Sequence, residues 1–328
     1  MASPVTWRKH CIWLGGLLLL ALAIFSLFVG KYPLSLKLIL AGDELQKRVF
    51  FTLRLSRTVA AVIGGFALGM TGFAFQAVFR NPLASPDIIG VSSGASAGAA
   101  AGILFFGSAS AVILSSFGGA LLAVGAALVF ASMDRSGKKS TIVLAGIAVH
   151  ALAQTALMCM KLAADPERQL ASIEYWIMGS LSGISADRIV GNLTLSILCM
   201  GALFLLHRQI LLLSAEEGEA RMLGVNVGLL RFITLVIATV TVSCIISLTG
   251  LISFVGLLAP HGARLILGDN SRKTMALSGI AGGCLLCLAD ILARSVAGSE
   301  LPVSIFTSLL GAPALVALVL RGRSEQDA

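Results

Sequence analysis

The sequence predicts an all-α membrane protein with about ten transmembrane helices, because three observations agree. Hydrophobic residues make up 57% of the chain and charged residues only 12%, about half the share usual in a soluble domain. Apolar segments follow one another from residue 11 to residue 320 without a polar linker. Most are close to the roughly 20 residues that a helix needs to cross the hydrocarbon core. We therefore expect one transmembrane domain over residues 1–328.

The spans can be placed in order from the apolar segments. The first follows Arg8 and Lys9, and it is too long for the apolar region of a signal peptide and lacks a cleavage site, so we expect it to be retained. The third is short and rich in small residues, and the boundary between the seventh and eighth, near Thr249, is weakly marked. The predicted spans are 11–30, 58–79, 90–106, 109–132, 141–162, 190–213, 232–249, 251–267, 275–297 and 303–320.

Small residues recur at helical spacing within several predicted spans. Gly65 and Gly69 lie four residues apart, as do Gly94 and Gly98. Because packing rather than hydrophobicity holds helices together in lipid, such pairs let two backbones approach closely. The pattern predicts a tightly packed bundle.

The net charge of +8 has a simple explanation in a membrane protein. Its cations stand singly between apolar segments rather than in a basic stripe with aromatic residues, so we expect no nucleic-acid partner. With the N-terminus inside, 14 Lys and Arg residues lie in cytoplasmic segments and 10 in external ones. The excess favours two cytoplasmic termini. The external cations are not explained by topology and suggest a partner on that side.

The chain lacks the residue patterns of a catalytic or metal site. It has no phosphate-binding loop, no HExxH and no GxSxG, so we expect no enzyme activity and no ATP hydrolysis by this chain. Cys284 and Cys287 form a CxxC inside an apolar helix, where small core residues are the better interpretation, and no metal site is predicted. Asp290 could indicate an ion-coupled carrier, but Arg294 one turn further on supplies a sufficient partner.

Polar segments interrupt the apolar pattern at four places. One is Arg54–Arg57, before the second span. Residues 80–95 contain two prolines within five residues, which a regular helix cannot hold, so an irregular segment beside a pathway is expected. Residues 214–225 predict a short amphipathic helix ended by Gly224. The last covers residues 250–269.

These segments together resemble the iron-chelate and cobalamin permease family of ABC importers. The resemblance covers residues 54 to 313, with the motifs in the family's order, and implies a fold similar to that of the cobalamin importer permease. One departure is Ser304, where the family usually has Gly. The motifs are RLSR, Gln76 with RNPLASPDIIGVSSGAS, EYWIMGSL, ARMLGV, GLISFVGLLAPHGARLILGD, ADILAR and ELPVSIFTSLLGAP.

The resemblance implies three kinds of protein partner, together with the lipid of the bacterial inner membrane. Family members pair with a second permease, either a copy or a relative, and here a homodimer is expected within the membrane lipid. Two ATPase subunits dock on the cytoplasmic side and a substrate-binding protein on the outside. The residues that match the family's outer docking arginines are Arg54, Arg57 and Arg294. Arginine suits this role because it binds carboxylates in a bidentate, oriented manner.

Two further sets of residues are implied by the same resemblance. A coupling loop over about 214–228 would contact the ATPase, and a gate would lie at the start of the fifth span and the neighbouring NPLA loop. The coupling residues are Glu216, Glu219, Arg221, Leu223 and Gly224, and the gate residues are Asn81, Pro82, Lys139, Ser140 and Thr141.

The implied function is import of a metal chelate by alternating access. A ferric siderophore is the first candidate, with haem or cobalamin behind it, and an ion-coupled secondary transporter is the alternative. We expect no cofactor bound by this chain, with ATP and Mg acting on the ATPase subunits. The sequence leaves open the identity of the chelate and the choice between homodimer and heterodimer.

Overall fold

The computed structural model describes residues 4–30, 32–133, 139–184, 186–214, 222, 225–296 and 300–324. Within those ranges every regular element is a helix. The helices are α1 (Pro4–Phe28), α2 (Leu36–Leu40), α3 (Glu44–Arg48), α4 (Ser56–Phe79), α5 (Val91–Phe105), α6 (Ala109–Met133), α7 (Lys139–Ala163), α8 (Ala171–Ile177), α9 (Ala186–Leu205), α10 (His207–Ser214), α11 (Val227–Thr249), α12 (Val255–Leu267), α13 (Arg272–Ser295) and α14 (Val303–Ser324). Wider π-helical turns at Val49–Leu55 and Pro166–Leu170 precede α4 and α8, and a 3₁₀ turn at Pro86–Ile89 precedes α5.

The predicted all-α membrane fold is confirmed. Among the described residues, six helices are long and apolar enough to cross a membrane, namely α1, α4, α6, α7, α11 and α13. The bent pair α9–α10 gives a seventh span, and the shorter apolar helices are α5, α12 and α14. Each of the ten predicted spans thus has a helix or a bent helix pair at its place.

Helix α4 forms the centre of the bundle and crosses two other helices at backbone contact. A Cβ on Gly65 would lie 2.3 Å from the carbonyl oxygen of Gly282 in α13, and one on Gly72 would lie 1.8 Å from the carbonyl oxygen of Gly256 in α12. Side chains at these crossings would hold the helices apart. The large side chains of Met70 and Phe73 fill the adjoining core.

The glycine pair in α5 has the same role. A Cβ on Gly94 would lie 2.5 Å from the carbonyl oxygen of Gly119 in α6, and one on Gly98 would lie 2.1 Å from that of Ser115. The prediction of close packing from small residues is therefore confirmed for both pairs of helices.

The chain between α4 and α5 is irregular, as its prolines predict. Arg80 ends α4 in the left-handed region at φ 50°, and Gly90 adopts φ 83° before α5 begins. The 3₁₀ turn between them packs on α7, where a Cβ on Gly146 would lie 2.3 Å from the carbonyl oxygen of Ile88.

The eighth predicted span is too long at its start. Residues 250–254 are not helical, and α12 begins only at Val255, so that its 13 residues extend about 20 Å. Gly250, at φ 70°, ends α11. Phe254 adopts φ 67°, an uncommon conformation for a bulky residue. Gly311 in α14 makes room for Phe254, since a Cβ there would approach its side chain to 2.5 Å.

Two other predicted spans also differ in detail. The sixth, 190–213, bends by 63° between α9 and α10. At the bend the His207 Nδ1–H donates to the carbonyl of Phe204 over 2.8 Å. The second span starts earlier than residue 58, because one continuous apolar helical path runs from Glu44 to Phe79.

Candidate functional site

The three arginines predicted to dock a partner lie together at one end of the bundle. We call Arg54, Arg57, Asp290, Arg294 and Glu300 the arginine cluster, and its end of the bundle the Arg57 end. All except Asp290 line a cavity of about 230 Å³. The cluster joins residues more than 230 positions apart, because the start of α4 packs beside the end of α13.

Asp290 is the centre of the cluster. Its side chain is fully buried, and its Oδ1 accepts a hydrogen bond of 2.7 Å from Arg57 Nε. The Nη2 of Arg294 lies 3.0 Å from Oδ2, an ion pair without good hydrogen-bond alignment. The pair predicted from the four-residue spacing is confirmed. Removing one member of such a buried group leaves an uncompensated charge, which is strongly destabilising.

Arg54 and Arg294 also bind the end of α1. Arg294 Nη1 donates to the carbonyls of Ser26 and Val29 over 3.2 and 3.1 Å, and its Nη2 donates to the hydroxyl of Ser26 over 2.6 Å. Arg54 donates to the carbonyls of Leu27 and Tyr32. Ser26 and Leu27 lie in the last turn of α1, where carbonyls lack a partner within the helix, and Val29 and Tyr32 follow it, so the arginines satisfy acceptors at and just beyond the helix end.

The arginines are less exposed than a docking surface would suggest. Arg54, Arg57 and Arg294 are 5%, 7% and 5% exposed, so each has an internal structural role in this structure. The two terminal nitrogens of Arg57 differ, and the one that lacks a hydrogen-bond partner among the described residues is buried. Its Nη1 donates to Glu300 over 2.8 Å, whereas its Nη2 has no hydrogen-bond partner among the described residues. Docking of a partner protein here stays a prediction.

A larger cavity of about 790 Å³ adjoins the cluster. It lies between the ends of α6, α8, α9 and α11, and it shares Ser182 and Ile184 with the smaller cavity. Three hydroxyl groups on its wall form one connected group, which we call the hydroxyl triad. It consists of Tyr175, Ser180 and Ser182, with oxygen–oxygen distances of 3.3, 3.0 and 2.9 Å.

The turn that carries the triad is fixed to two other elements. Gly179, at φ 68°, accepts a hydrogen bond of 3.0 Å from the backbone of Val303 at the start of α14. The backbone of Ser180 donates to the carbonyl of Thr249 at the end of α11 over 2.7 Å. Ser304, the residue that departs from the family pattern, donates to the carbonyl of Leu251 over 2.5 Å.

The two irregular segments face a common cavity of about 330 Å³. Ser85, Asp87 and Ser92 line it from one side, and Ser253 and Phe254 from the other. A cavity with a partly polar wall, bounded by non-helical backbone within a helical bundle, is the arrangement expected beside a pathway.

Only three of the five predicted gate residues have described side chains. Asn81 and Pro82 are exposed, and the Asn81 side chain accepts a hydrogen bond of 2.9 Å from the backbone of Leu83. Thr141 is half-buried near the start of α7, whereas the side chains of Lys139 and Ser140 lie outside the described residues. The gate assignment stays a prediction.

The predicted coupling residues also lie outside the described part of the chain. They are Glu216, Glu219, Arg221, Leu223 and Gly224. The flanking elements are α10, which ends at Ser214, and α11, whose first turn is capped by the Asn226 side chain accepting from Leu229 over 3.1 Å.

Metal ligands are not gathered in the described residues, where no three His, Cys, Asp or Glu side chains could hold one ion. Sequence reasoning did not assign Glu300 to Arg57, nor did it find Ser26 or the hydroxyl triad. For the triad, the local segment from Tyr175 to Ser182 carried a signal, because three hydroxyls and a glycine occur within eight residues.

Comparison with known proteins places these features in a family. Residues 18–321 match the FecCD transport family. The chain belongs to the FecCD transport family. Among its relatives, the molybdate import system permease protein MolB of Haemophilus influenzae is 33% identical over 321 residues, covering 93% of this chain and 94% of that protein. The hemin transport system permease protein HmuU of Yersinia pestis is also 33% identical over 321 residues, covering 95% of both.

A solved structure has the same architecture. An inward-facing metal-chelate-type ABC transporter chain superposes with a TM-score of 0.89 at 31% identity, covering 95% of this chain and 99% of the other. This FecCD chain is thus a multi-pass ABC importer permease and not itself an enzyme. Permeases of this kind work with ATPase and binding-protein partners. The ion-coupled alternative is replaced by an ATP-driven importer.

Proposed function

We propose that this permease imports an intact metal chelate, with a ferric siderophore as the first candidate and haem or cobalamin as the next. The observation that carries the proposal is the position of the 790 Å³ cavity beside the arginine cluster. The lining of this cavity contains a single carboxylate, Glu167, and no His or Cys, so its wall holds no group of ligands that would take a metal from its chelator. Relatives include iron chelatin permeases of Helicobacter pylori, 36% identical over 278 residues.

The proposed assembly contains two copies of this chain, two ATPase subunits and a substrate-binding protein. The Arg57 end faces the binding protein, and both termini lie on the cytoplasmic side of the bacterial inner membrane. This chain binds no cofactor of its own, and ATP and Mg act on the ATPase subunits. Closure of the ATPase dimer moves the coupling loop, which opens the pathway toward the binding protein, and hydrolysis resets it.

Reconstitution into liposomes tests this function. We expect ATP-dependent uptake of an iron chelate only when the ATPase and the binding protein are both present. Glu219→Arg combined with Leu223→Asp should lower binding-protein-stimulated ATP hydrolysis at least tenfold, because it changes the charge and apolar contact of the proposed coupling loop. Uptake without the ATPase, or uptake of molybdate but no chelate, would contradict the proposal.

Docking at the cluster is tested through Glu300 rather than through the buried arginines. Arg57 bonds to Glu300 in this structure, so a carboxylate of the binding protein must compete with Glu300 for that guanidinium. We expect Glu300→Gln to increase binding-protein affinity severalfold and to make it more sensitive to salt. The affinity is measured with the permease in nanodiscs.

Glu174→Gln is the matched control. It removes the same charge from a partly exposed glutamate, one that pairs with Lys161 over 2.9 Å. This control should leave binding-protein affinity unchanged. Equal affinity for Glu300→Gln and the wild type would count against a docking role for Arg57.

A further inference from the structure

We propose that the hydroxyl triad of Tyr175, Ser180 and Ser182 is the first contact site of the permease for its cargo, and that it binds the oxygen atoms of an oxygen-ligated metal chelate. This inference rests on the proposed import function and adds the chemical class of cargo and the residues that receive it.

The geometry of the triad suits a ligand that offers several oxygens. Each hydroxyl can donate one hydrogen bond and accept others, and it rotates to suit its partner. The three oxygens lie within 3.3 Å of one another, so they present one compact polar patch. Tyr175 is 44% exposed and Ser182 is also exposed, which leaves both accessible from the cavity.

The other residues that line the 790 Å³ cavity favour weak binding of a chelate. Apolar side chains such as Val112 and Ile113 and the ring of Trp176 surround the triad. The volume of about 790 Å³ falls in the range of roughly 300–1,000 Å³ that is usual for small-molecule sites. Glu167 and Arg168 add one charge of each sign at the wall. Uncharged hydroxyls hold a chelate weakly enough for release into the pathway.

The triad lies next to the arginine cluster, and its turn is hydrogen-bonded to α11 and α14. Ser182 lines both the cavity of about 790 Å³ and the smaller cavity of the arginine cluster. The same turn is hydrogen-bonded to Thr249 at the end of α11 and to Val303 at the start of α14. A chelate on the triad therefore touches a short segment that borders the cavity of the arginine cluster and is hydrogen-bonded to the end of α11, next to the irregular chain before α12.

The test compares the triple variant Tyr175→Phe, Ser180→Ala, Ser182→Ala with the wild type in liposomes that hold the ATPase and the binding protein. The probes are ferrichrome, ferric enterobactin and ferric citrate, which bind iron through hydroxamate, catecholate and carboxylate oxygens, and haem as the tetrapyrrole. For the oxygen-ligated probe that the wild type imports, the maximal uptake rate should fall about tenfold, the effect of losing roughly one net hydrogen bond. The half-saturating concentration should not change, because the binding protein sets it.

Matched controls separate a contact role from a structural one. Ser132→Ala with Thr155→Ala removes hydroxyls that bond only to their own helices, and uptake should stay at the wild-type level. Ser180→Thr with Ser182→Thr keeps both hydroxyls and should retain most of the uptake. ATP hydrolysis stimulated by the cargo-free binding protein should be unchanged in the triple variant.

Three results would overturn the inference. They are wild-type uptake by the triple variant, a wild-type permease that imports haem and no oxygen-ligated probe, and loss of uptake together with loss of cargo-free ATPase stimulation and a lower melting temperature. Failure of the wild type to show any ATP-dependent uptake would instead reject the proposed import function.

Discussion

Replacing Asp290 with asparagine is expected to destabilise the folded permease by about 3 kcal/mol or more, because two buried arginines would lose their shared anion. Arg57 and Arg294 both contact this fully buried carboxylate, at 2.7 and 3.0 Å. Asparagine keeps the size of the side chain, removes its charge and replaces one acceptor oxygen with an NH2 donor that would face an arginine. Thermal unfolding of the detergent-purified chain measures the loss, and uptake should fall in proportion to the folded protein that remains.

Glu300→Gln provides the comparison within the same cluster. The Glu300 side chain is 38% exposed, so water solvates Arg57 and Glu300 in part and weakens their ion pair. We therefore expect Glu300→Gln to lower the free energy of unfolding by no more than about 1 kcal/mol. An Asp290→Asn protein that is as stable as the wild type would contradict this prediction.

Replacing Gly72 with alanine is the second large effect that we expect. The added Cβ would lie 1.8 Å from the carbonyl oxygen of Gly256 and 2.6 Å from its carbonyl carbon, so α4 and α12 would have to separate. Because both sides of the contact are backbone, no side chain can rotate away. Overpacking of a core costs about 1–3 kcal/mol, and we expect the upper end of that range. The yield of folded protein and its melting temperature measure the effect.

Gly118→Ala is the control for this substitution. Gly118 lies inside α6, and a Cβ there would meet no atom within 4 Å. Alanine should be neutral or stabilise the chain by up to about 1 kcal/mol through its higher helix propensity. If Gly72→Ala were equally well tolerated, the backbone contact between α4 and α12 would not be needed for folding.

The helices and the ion pairs within one helix could be predicted from the sequence, because both depend on spacings of a few residues. The contact of Asp290 with Arg294 follows from a separation of one helical turn. The contacts of Arg57 with Asp290 and Glu300 span 233 and 243 residues, so they depend on the packing of α4 against α13. This packing also buries the arginines, whereas motif positions alone had suggested an exposed docking face.

The breaks within spans were harder to foresee than the spans. An apolar sequence satisfies the hydropathy criterion whether or not its helix is straight, so residues 190–213 predicted one span. The bend at His207 is accompanied by a side-chain hydrogen bond to the carbonyl of Phe204, which a hydropathy pattern does not reveal. The late start of α12 depends on the conformation of Phe254, which in turn depends on the space left by Gly311.

The hydroxyl triad shows where local sequence information ends. Tyr175, Ser180 and Ser182 are close in sequence, but they meet only because Gly179 reverses the chain at φ 68°. That turn is fixed by hydrogen bonds from Ser180 to Thr249 and from Val303 to Gly179, across 69 and 124 residues of the chain.

The glycine crossings of α4 have a mechanical consequence for transport. Because α4 packs on α12 and α13 at backbone distance, we expect these three helices to move as one rigid unit. Helices α6 and α7, whose residues are mostly not buried within this chain, lie at its periphery. We therefore expect the transport cycle to move α7 relative to the unit of α4, α12 and α13, while α5 and α6, which touch through their own backbones, move together.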